Sequence, residues 1–334
     1  MKFGLAIPNC CEGIIYPISF ANYESMISIS EKAEELGYDS VWANDHITTL
    51  KYIKEYLSQP PNFFEPIVTL SFVAETTKRL KLGTSVIVLP LRDPVLLAKQ
   101  ISTLHILSNG RVILGLGVGA YREEFEAINP VLKTRSRDEI MDEKLQALKK
   151  LFEEDKASFD GKYVKFFEIE SYPKPVEPLP IWIGGNALNV IKRVAKLGDG
   201  WLPAMLTPDE VRNGVEKICE LARNYGRDPS KIEIAPTYVV SLSSSYGKAI
   251  KNFRKTWAYK HLVSLQKSTL RGQSVTSYEE RNLIGTPDEV IKKIDQLKEA
   301  GITYLSDLVF PAKDIRELQK QITLFAREVI PSFQ

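Results

Sequence analysis

Short apolar runs of strand length alternate along the chain with longer segments whose apolar residues recur every three or four positions. Eight such runs lie at residues 2–7, 39–44, 81–89, 111–118, 181–185, 198–202, 232–242 and 303–310. The segment after the first run has clear helical spacing, with Met26, Ile29, Ala33 and Leu36 on one face and Gly37 at its end. Eight alternations of strand and helix predict a single (β/α)8 barrel that uses residues 1–334 as one domain.

Three connections are longer than a barrel needs, so we expect insertions after strands 2, 4 and 7. The first contains Pro60 and Pro61. The second includes an amphipathic helix over residues 137–152 and a hairpin whose turn is Asp160-Gly161. The third, residues 246–283, is polar and weakly patterned, and we interpret it as an excursion from the barrel.

The composition narrows the classes of function. A net charge of +2 without a dense basic cluster gives no reason to expect nucleic-acid binding. Neither a membrane-spanning stretch nor a signal peptide is expected. Cys10, Cys11 and Cys219 lack the spacing of a disulfide framework and predict a reducing, cytoplasmic location. The three histidines lie far apart without ligand spacing, so no metal site is expected.

The residues that follow the strands are the candidates for chemistry, because the loops at the carboxyl ends of the strands form the active-site face of such a barrel. An Asp-His pair is often only a cap or a surface pair, and Gly-Gly before a helix can be a simple turn. Free amides at a helix start also bind anions, so the Gly-Gly segment is equally a candidate phosphate site. The candidates are Asn44-Asp45-His46 after strand 2, Thr84-Ser85-Val86 in strand 3, Gly117-Val118-Gly119-Ala120 after strand 4, and Gly184-Gly185-Asn186-Ala187 after strand 5.

The segment Gly115-Leu-Gly-Val-Gly-Ala120 also satisfies the dinucleotide-binding pattern. That pattern belongs after the first strand of a doubly wound sheet, with an acidic residue ending the next strand, whereas here it follows the fourth strand. Asp138 and Glu139, which stand about twenty residues later, begin a helix instead. No Gly-x-Ser-x-Gly motif of a hydrolase nucleophile occurs. The sequence therefore favours neither a Rossmann dehydrogenase nor a serine hydrolase.

Six motifs occur in a specific order along the chain. They are Asp45-His46, Gly83-Thr-Ser-Val86, Leu107-Ser-Asn-Gly-Arg111, Gly115-Leu-Gly-Val-Gly119, Glu123-Glu-Phe125 and Pro180-Ile-Trp-Ile-Gly-Gly185. This set resembles the bacterial luciferase-like monooxygenase superfamily over residues 1–240 and again at the closing strand and helix. The strand-4 and strand-5 motifs are most similar to the coenzyme F420-dependent branch, and FMN-dependent members are also similar.

The resemblance implies a role for each matched residue. Ser85–Val86 match a strand-3 bulge with a non-prolyl cis peptide that supports the deazaflavin or flavin ring. Residues 117–119 match the backbone along the ring, and residues 184–187 match the phosphate-binding turn. Asp45 matches a residue that contacts the ring, and His46 matches the active-site histidine.

Ala120 departs from one branch of the family. The sugar-dehydrogenase branch has Glu immediately after the last glycine of the strand-4 motif, and this chain has alanine there. The missing acid argues against that particular reaction.

The leading hypothesis is hydride transfer between coenzyme F420 and a small-molecule organic substrate. His46 would donate or accept the accompanying proton, because an unperturbed imidazole titrates at about pH 6.5. Asp45 could hold this imidazole in one tautomer, or it could contact the ring instead. The alternatives are an FMN-dependent two-component monooxygenase, with a separate reductase supplying reduced flavin, and a non-catalytic flavin-binding relative.

Two helices carry more apolar surface than a barrel helix needs to bury. They are predicted at residues 65–79 and 94–108, and each has apolar residues on more than one face. The excess predicts a homodimer, and the alternative is deeper burial of these residues under loops.

Overall fold

A curled sheet of parallel strands lies at the centre of the computed structural model, which describes residues 1–130, 133–176, 178–265 and 278–334. The strands are β1 Lys2–Ala6, β2 Ser40–Ala43, β3 Lys81–Thr84, β4 Ile87–Val88, β5 Val112–Gly117, β6 Ala157–Asp160, β7 Lys165–Ile169, β8 Ile181–Gly184, β9 Gly200–Leu202, β10 Glu233–Ile234, β11 Tyr238–Leu242, β12 Leu283–Gly285 and β13 Tyr304–Val309. Their order across the sheet is β10-β9-β8-β5-β3-β2-β1-β13-β11-β12, and β4 also pairs with β5.

The β10 end of this sheet closes onto β13, which confirms the predicted (β/α)8 barrel. The amide of Thr303, just before β13, donates to the carbonyl of Ile234 in β10 at 3.0 Å. The amide of Ser306 donates to the carbonyl of Pro236 at 3.1 Å. The residues between β10 and β11 therefore join β13, and the seventh and eighth positions of the barrel lie side by side.

Helices follow the strands in the predicted alternation. They are α1 Tyr23–Glu35, α2 Lys51–Lys54, α3 Pro66–Thr76, α4 Pro94–Leu107, α5 Arg122–Ile128, α6 Arg137–Glu153, α7 Leu188–Leu197, α8 Pro208–Asn224, α9 Tyr246–Phe253, α10 Trp257–Leu265, α11 Pro287–Glu299 and α12 Ile315–Glu328. Sequence signals determine where two of these helices begin. The side chains of Thr207 and Thr286 each accept a hydrogen bond from the backbone amide three residues later, and the Glu at that position accepts one from the backbone amide of the Thr. These are capping boxes, which satisfy amides that the helix itself leaves unpaired.

Two strands that the pattern predicts as continuous are each divided in the structure. Residues 81–89 form β3 and β4, separated by the Ser85–Val86 peptide bond, which is cis as the resemblance implies. Residues 232–242 form β10 and β11, with Pro236 between them. Proline has no amide hydrogen to donate to a strand ladder, so an apolar run through Pro236 does not remain one strand.

Large aromatic side chains opposite glycines fill the barrel interior. The rings of Trp42 and Trp182 lie 5.4 Å apart, and Tyr304 packs edge-on against Trp182 at 5.5 Å. A Cβ on Gly83 would lie 2.2 Å from the Trp42 ring, and one on Gly200 would lie 2.6 Å from Trp182. The glycines in these strands thus make room for indole rings, and the packed interior forms a floor below the carboxyl ends of the strands.

The predicted insertions occur where the sequence indicates them. The loop after β2 contains α2, the residues after β5 contain α5, and β6 and β7 form the expected antiparallel hairpin after α6. In the excursion, α9 and α10 follow β11, and β12 pairs in parallel with β11 outside the barrel. Residues 266–277 of the excursion lie outside the described residues.

Within the described ranges, no helix has both the length and the apolar character needed to cross a membrane.

Candidate functional site

The Ser85–Val86 bulge lies between two glycines at the carboxyl ends of neighbouring strands. A Cβ on Gly117 would lie 2.6 Å from Val86 Cγ2, and a Cβ on Gly184 would lie 2.6 Å from Val86 Cγ1. Both distances are far shorter than a van der Waals contact, so only glycine fits on either side of Val86. The physical reason for these two glycines is therefore the room they leave for the bulge, which places small residues on both sides of Val86 at the barrel mouth.

A buried polar network ties this bulge to strands β2 and β13. The side-chain amide of Asn44 donates to the carbonyl of Ser85 at 2.6 Å and lies 3.4 Å from Asp307 Oδ2. The thiol of Cys11 donates to Asn44 Oδ1 at 3.2 Å, and the backbone amide of Asn44 donates to Asn9 Oδ1 at 2.9 Å. Asn44 thus connects the first three strand ends with the eighth.

Asp45 is a structural anchor in this arrangement. Its Oδ1 accepts from Arg92 Nη2 at 2.5 Å, and its Oδ2 accepts from the Val88 amide at 3.0 Å and from Arg92 Nε at 3.3 Å. Arg92 Nη1 in turn donates to Glu65 Oε1 at 2.9 Å. The carboxylate therefore holds the segment after the bulge against the end of β2. Of the two roles considered for Asp45, holding the His46 tautomer is wrong, because another carboxylate has that position.

Glu124 is the acidic partner of His46. Its Oε2 lies 3.2 Å from His46 Nδ1, and its Oε1 accepts from the amides of Ile47 at 2.5 Å and Thr48 at 3.2 Å. Burial acts to raise the pKa of Glu124, but the hydrogen bond and charge of His46 and the two amides outweigh it, so the pKa lies below its usual value. The ionised Glu124 accepts, which assigns the proton to His46 Nδ1 and leaves Nε2 as the proton-accepting nitrogen.

The sequence contained a signal for Glu124, but the spacing of the residues alone did not identify it as the partner of His46. It stands in Glu123-Glu-Phe125, one helical turn after Ala120, the position at which the acid of the sugar-dehydrogenase branch is missing. The first turn of α5 therefore supplies a carboxylate beside His46 even though residue 120 does not.

A cluster of phenol, imidazole and hydroxyl groups lies next to His46. Tyr121 is 6.2 Å from the His46 ring and is stacked on Tyr52 at 5.8 Å. The Tyr52 hydroxyl lies 2.9 Å and the Tyr121 hydroxyl 3.3 Å from His261 Nδ1, and Tyr121 also bonds Ser264 Oγ at 2.9 Å. Burial, together with charge repulsion from His46, lowers the pKa of His261 to about 3, so its imidazole is neutral at physiological pH.

Sequence reasoning missed His261 and Ser264, which both lie on α10 in the excursion. The excursion has no periodic pattern that would place its residues against Tyr52 or Tyr121. Tertiary packing brings together the insertions after strands 2, 4 and 7 at this cluster.

The Gly184–Ala187 turn connects β8 to α7. Gly185 adopts a φ of +127°, which favours glycine, and its carbonyl accepts from Trp201 Nε1 at 2.8 Å. The Asn186 side chain bonds both the amide and the carbonyl of Ala204, at 2.8 and 2.9 Å. The N-cap residue Ala187 makes no side-chain cap. The Val190 amide donates to the Ala187 carbonyl and to Asn189 Oδ1, so the amides of Leu188 and Asn189 are the candidates to bind an anion at the start of α7.

These features fit a flat ring with an anionic side chain. The small-residue surface around Val86 would accommodate a ring, and the uncapped start of α7 suits a phosphate group. Asp307 adds a buried Oδ1 atom without a hydrogen-bond partner next to the same bulge. Within the described ranges, no group of three or more His, Cys, Asp or Glu side chains is arranged to hold a metal ion.

Comparison with known proteins identifies relatives of this chain. The chain is 28% identical over 322 residues to an F420-dependent glucose-6-phosphate dehydrogenase of Kineococcus radiotolerans, covering 90% of each chain. Its fold matches the monooxygenase RslO1 of Streptomyces bottropensis with a TM-score of 0.81 at 20% identity, covering 100% of both chains. It also matches an F420-dependent secondary alcohol dehydrogenase in complex with an F420–acetone adduct, with a TM-score of 0.79 at 23% identity, covering 100% of this chain and 99% of the other.

The sequence model of one family extends over most of the chain. Residues 1–304 match the family described as luciferase-like monooxygenase. The match includes the bulge, His46, Glu124, the Gly184–Ala187 turn and α10. The chain belongs to the luciferase-like monooxygenase family.

Proposed function

We propose that this chain is an F420-dependent oxidoreductase that transfers hydride between the deazaflavin and a small organic substrate. The oxidoreductase class and a deazaflavin or flavin cofactor follow from the family and from its F420-dependent relatives. The observation that carries the proposal is that the His46–Glu124 pair and the surface around Val86 both lie at the carboxyl ends of barrel strands. Such a reaction requires two things of the protein at one barrel mouth: a group that carries the proton and a surface that supports the ring.

The cofactor would be held by the residues at three strand ends. Val86 would support the ring, and the backbone of Gly117, Val118 and Gly119 would lie along it. The turn formed by Gly184, Gly185, Asn186 and Ala187 would bind the phosphate at the uncapped start of α7. When bound, the deazaflavin supplies the hydride chemistry, which no side chain can provide.

The proton is the part of the reaction that the protein handles. His46 Nδ1 is held by Glu124, so Nε2 is oriented to accept a proton from a substrate hydroxyl or, in reverse, to deliver one. Glu124 stabilises the protonated imidazole that forms. Asp45 contributes by fixing the backbone that carries His46, and contact between Asp45 and the ring remains a prediction.

The substrate would lie between His46 and the Tyr52–Tyr121–His261 cluster. These side chains offer aromatic faces and neutral hydrogen-bonding groups. Such a wall suits a small organic molecule that carries a hydroxyl or carbonyl group. Ala120 in place of the expected acid weighs against the glucose-6-phosphate reaction of the curated relatives.

An assay of F420 turnover tests the proposal. Oxidised F420 is mixed with the protein and with representative secondary alcohols and sugar phosphates, and the visible absorbance of the cofactor is followed. We expect reduction of F420 by an alcohol with the wild-type protein and not with His46→Ala. Oxygen-dependent consumption of reduced FMN, without any turnover of F420, would instead assign the FMN-dependent monooxygenase reaction, with a separate reductase as its partner.

We also propose that the protein is a homodimer in the cytoplasm. The side chains of Val68, Phe72 and Leu96 on α3 and α4 are all more than half exposed, at 57%, 55% and 58%. An exposed apolar patch of this kind is typical of a subunit interface. The free thiols of Cys10, Cys11 and Cys219 suit a reducing compartment.

A further inference from the structure

One ring nitrogen of His261, in the cluster beside His46, has no hydrogen-bond partner in the described part of the chain. The hydroxyl groups of Tyr52 and Tyr121 lie 2.9 and 3.3 Å from Nδ1, and no described residue bonds Nε2. Nε2 is also not one of the polar atoms that packing seals from water without a partner. It is therefore available to a molecule that enters the barrel mouth.

His261 lies in a recess of the protein rather than on an outer surface. Enough protein surrounds the ring for burial to lower the pKa of His261 to about 3, yet the residue stays partly exposed. A side chain that is desolvated but still accessible lines a concavity. The segments after β2, β5 and β11 form the walls of this recess, because they carry Tyr52, Tyr121 and α10.

The hydrogen bonds of the cluster assign the proton of His261. Ser264 Oγ donates to the His261 carbonyl at 2.7 Å, so it accepts from the Tyr121 hydroxyl at 2.9 Å. The Tyr52 hydroxyl lies 2.9 Å from His261 Nδ1, and donation there gives every hydroxyl hydrogen of the cluster an acceptor. A neutral imidazole that accepts at one nitrogen carries its hydrogen on the other. Nε2 of His261 is therefore a donor.

His46 has the complementary arrangement. Glu124 takes the hydrogen of His46 Nδ1, which leaves Nε2 as an acceptor. The Tyr121 ring adjoins both imidazoles, with its centroid 6.2 Å from that of His46 and 6.4 Å from that of His261. A hydroxyl group has one hydrogen to donate and an oxygen that can accept. One acceptor and one donor beside the same tyrosine therefore match one alcohol hydroxyl.

We propose that His261 is a further substrate-binding residue, whose Nε2–H donates a hydrogen bond to the reacting hydroxyl oxygen of an alcohol. The inference rests on the proposed function, in which His46 Nε2 accepts the proton of that hydroxyl. When the O–H bond breaks, its electron pair becomes the second bond between oxygen and carbon, and the carbon gives its hydride to the cofactor. His261 keeps its own proton and stabilises the negative charge that develops on the oxygen.

Two amide variants separate the Nε2 donor from the Nδ1 acceptor. His261→Asn places its amide near the position of Nδ1, where it can still accept from Tyr52, but it does not reach the position of Nε2. His261→Gln extends the same amide to the position of Nε2 and is the matched control. Reduction of F420 by isopropanol, cyclohexanol and benzyl alcohol is followed for the wild type and both variants. F420 affinity is measured on the same preparations by fluorescence titration.

His261→Asn should lower kcat/KM for the alcohols by about 10- to 100-fold, the usual value of a hydrogen bond to a charged group. His261→Gln should recover most of this loss, because it restores a donor at the same place. F420 affinity should stay at the wild-type value in both variants, since the residues proposed to hold the cofactor lie at other strand ends. A purely structural role of His261 would not give this difference between the two amides.

A readout that needs neither cofactor nor substrate checks the tautomer. The chain has three histidines, so nitrogen NMR of the labelled imidazoles can assign each ring by its loss in a variant. The hydrogen of His261 should be on Nε2 at neutral pH, and a hydrogen on Nδ1 would overturn the inference. It would equally be overturned if His261→Asn matched the wild type in kcat/KM, or if the wild type bound F420 but oxidised none of the three alcohols. A wild type that does not bind F420 would instead remove the proposed function, and the inference with it.

Discussion

His46 and Glu124 stand 78 positions apart in the chain and meet through one hydrogen bond at the barrel mouth. The position of His46 after strand 2 could be predicted, because loops at the carboxyl ends of barrel strands form the active-site face. Its partner could not be predicted, because Asp45 is adjacent in sequence while Glu124 is adjacent only in space. Arg92 binds Asp45 so completely that the neighbouring carboxylate is not available to the imidazole.

Replacing His46 tests the proton-transfer role directly. His46→Ala should lower turnover by about 10²–10⁴-fold, the usual worth of general acid–base catalysis. Cofactor affinity should change much less, since the Gly184–Ala187 turn is untouched. Turnover and cofactor dissociation constant are measured on the same variant. Turnover that stays near the wild-type value at saturating cofactor would remove His46 from the mechanism.

Glu124→Gln should separate positioning from charge. The glutamine oxygen can still accept from the Ile47 and Thr48 amides, so the loop after β2 should keep its structure. The NH2 group would then face His46 Nδ1 and could not accept its hydrogen, and the neutral amide no longer stabilises the protonated imidazole, so turnover should fall and its pH profile should shift towards lower pH. The profile is measured from pH 5 to pH 9, with Glu123→Gln as the control. An unshifted profile would show that Glu124 is only a structural clamp.

The burial of Asp307 predicts how stability depends on pH. Its pKa, raised to about 7 by burial in the folded protein, lies above the value of about 3.9 expected for an unfolded chain. Its stabilising contribution is thus fully present below pH 4 and is lost as pH rises through 7. Asp307→Asn should therefore raise the melting temperature relative to wild type more at pH 7.5 than at pH 5, as scanning calorimetry can measure. An equal effect at both pH values would contradict the raised pKa.

At the scale of elements, the barrel strands were predictable because apolar runs and helical periodicity agree along most of the chain. The bulge divided the third strand and Pro236 divided the seventh, and only the first of these divisions was expected, from the family resemblance. For residues 246–283, the sequence predicted an excursion from the barrel but not where its helices lie. Packing against Tyr52 and Tyr121, rather than any local periodicity, determines where α10 lies.

The packing of the bulge gives a prediction at this scale. Gly184→Ala should lower cofactor affinity and stability, because its Cβ would lie 2.6 Å from Val86 Cγ1. The double variant Gly184→Ala/Val86→Ala should recover part of the stability, since it removes the clashing methyl groups. Gly247→Ala, in α9 with no atom within 4 Å of the added Cβ, is the control and should stabilise by about 0.5–1 kcal/mol. Urea unfolding of all three gives the comparison, and full stability of Gly184→Ala alone would contradict it.

For the whole molecule, the apolar residues left exposed on α3 and α4 predict how copies associate. The sequence pattern indicated excess apolar surface but could not distinguish an interface from burial under loops. The structure leaves Phe72 and Leu96 more than half exposed, which removes the second alternative for these residues. Their exposure is the reason to expect a second copy of the chain at this surface.

Charge placed in this patch should dissociate the dimer. Phe72→Asp and Leu96→Glu should give a monomer at concentrations where the wild type is a dimer, because a buried unpaired carboxylate is strongly unfavourable. Light scattering coupled to size-exclusion chromatography measures the mass. Lys320→Glu on the outer face of α12 is a control that should not change it. A wild-type monomer at micromolar concentration would rule the dimer out.

The choice of cofactor is the central claim, and calorimetric titration of the wild-type protein with F420 and with FMN tests it most directly. The two titrations are run on one preparation under the same buffer conditions. The surface around Val86 and the uncapped start of α7 would accept either ring and phosphate, so the ratio of the two affinities carries the answer. We predict tighter binding of F420 than of FMN. Micromolar binding of FMN without measurable binding of F420 would contradict the account and assign the chain to the flavin-dependent monooxygenases of its family.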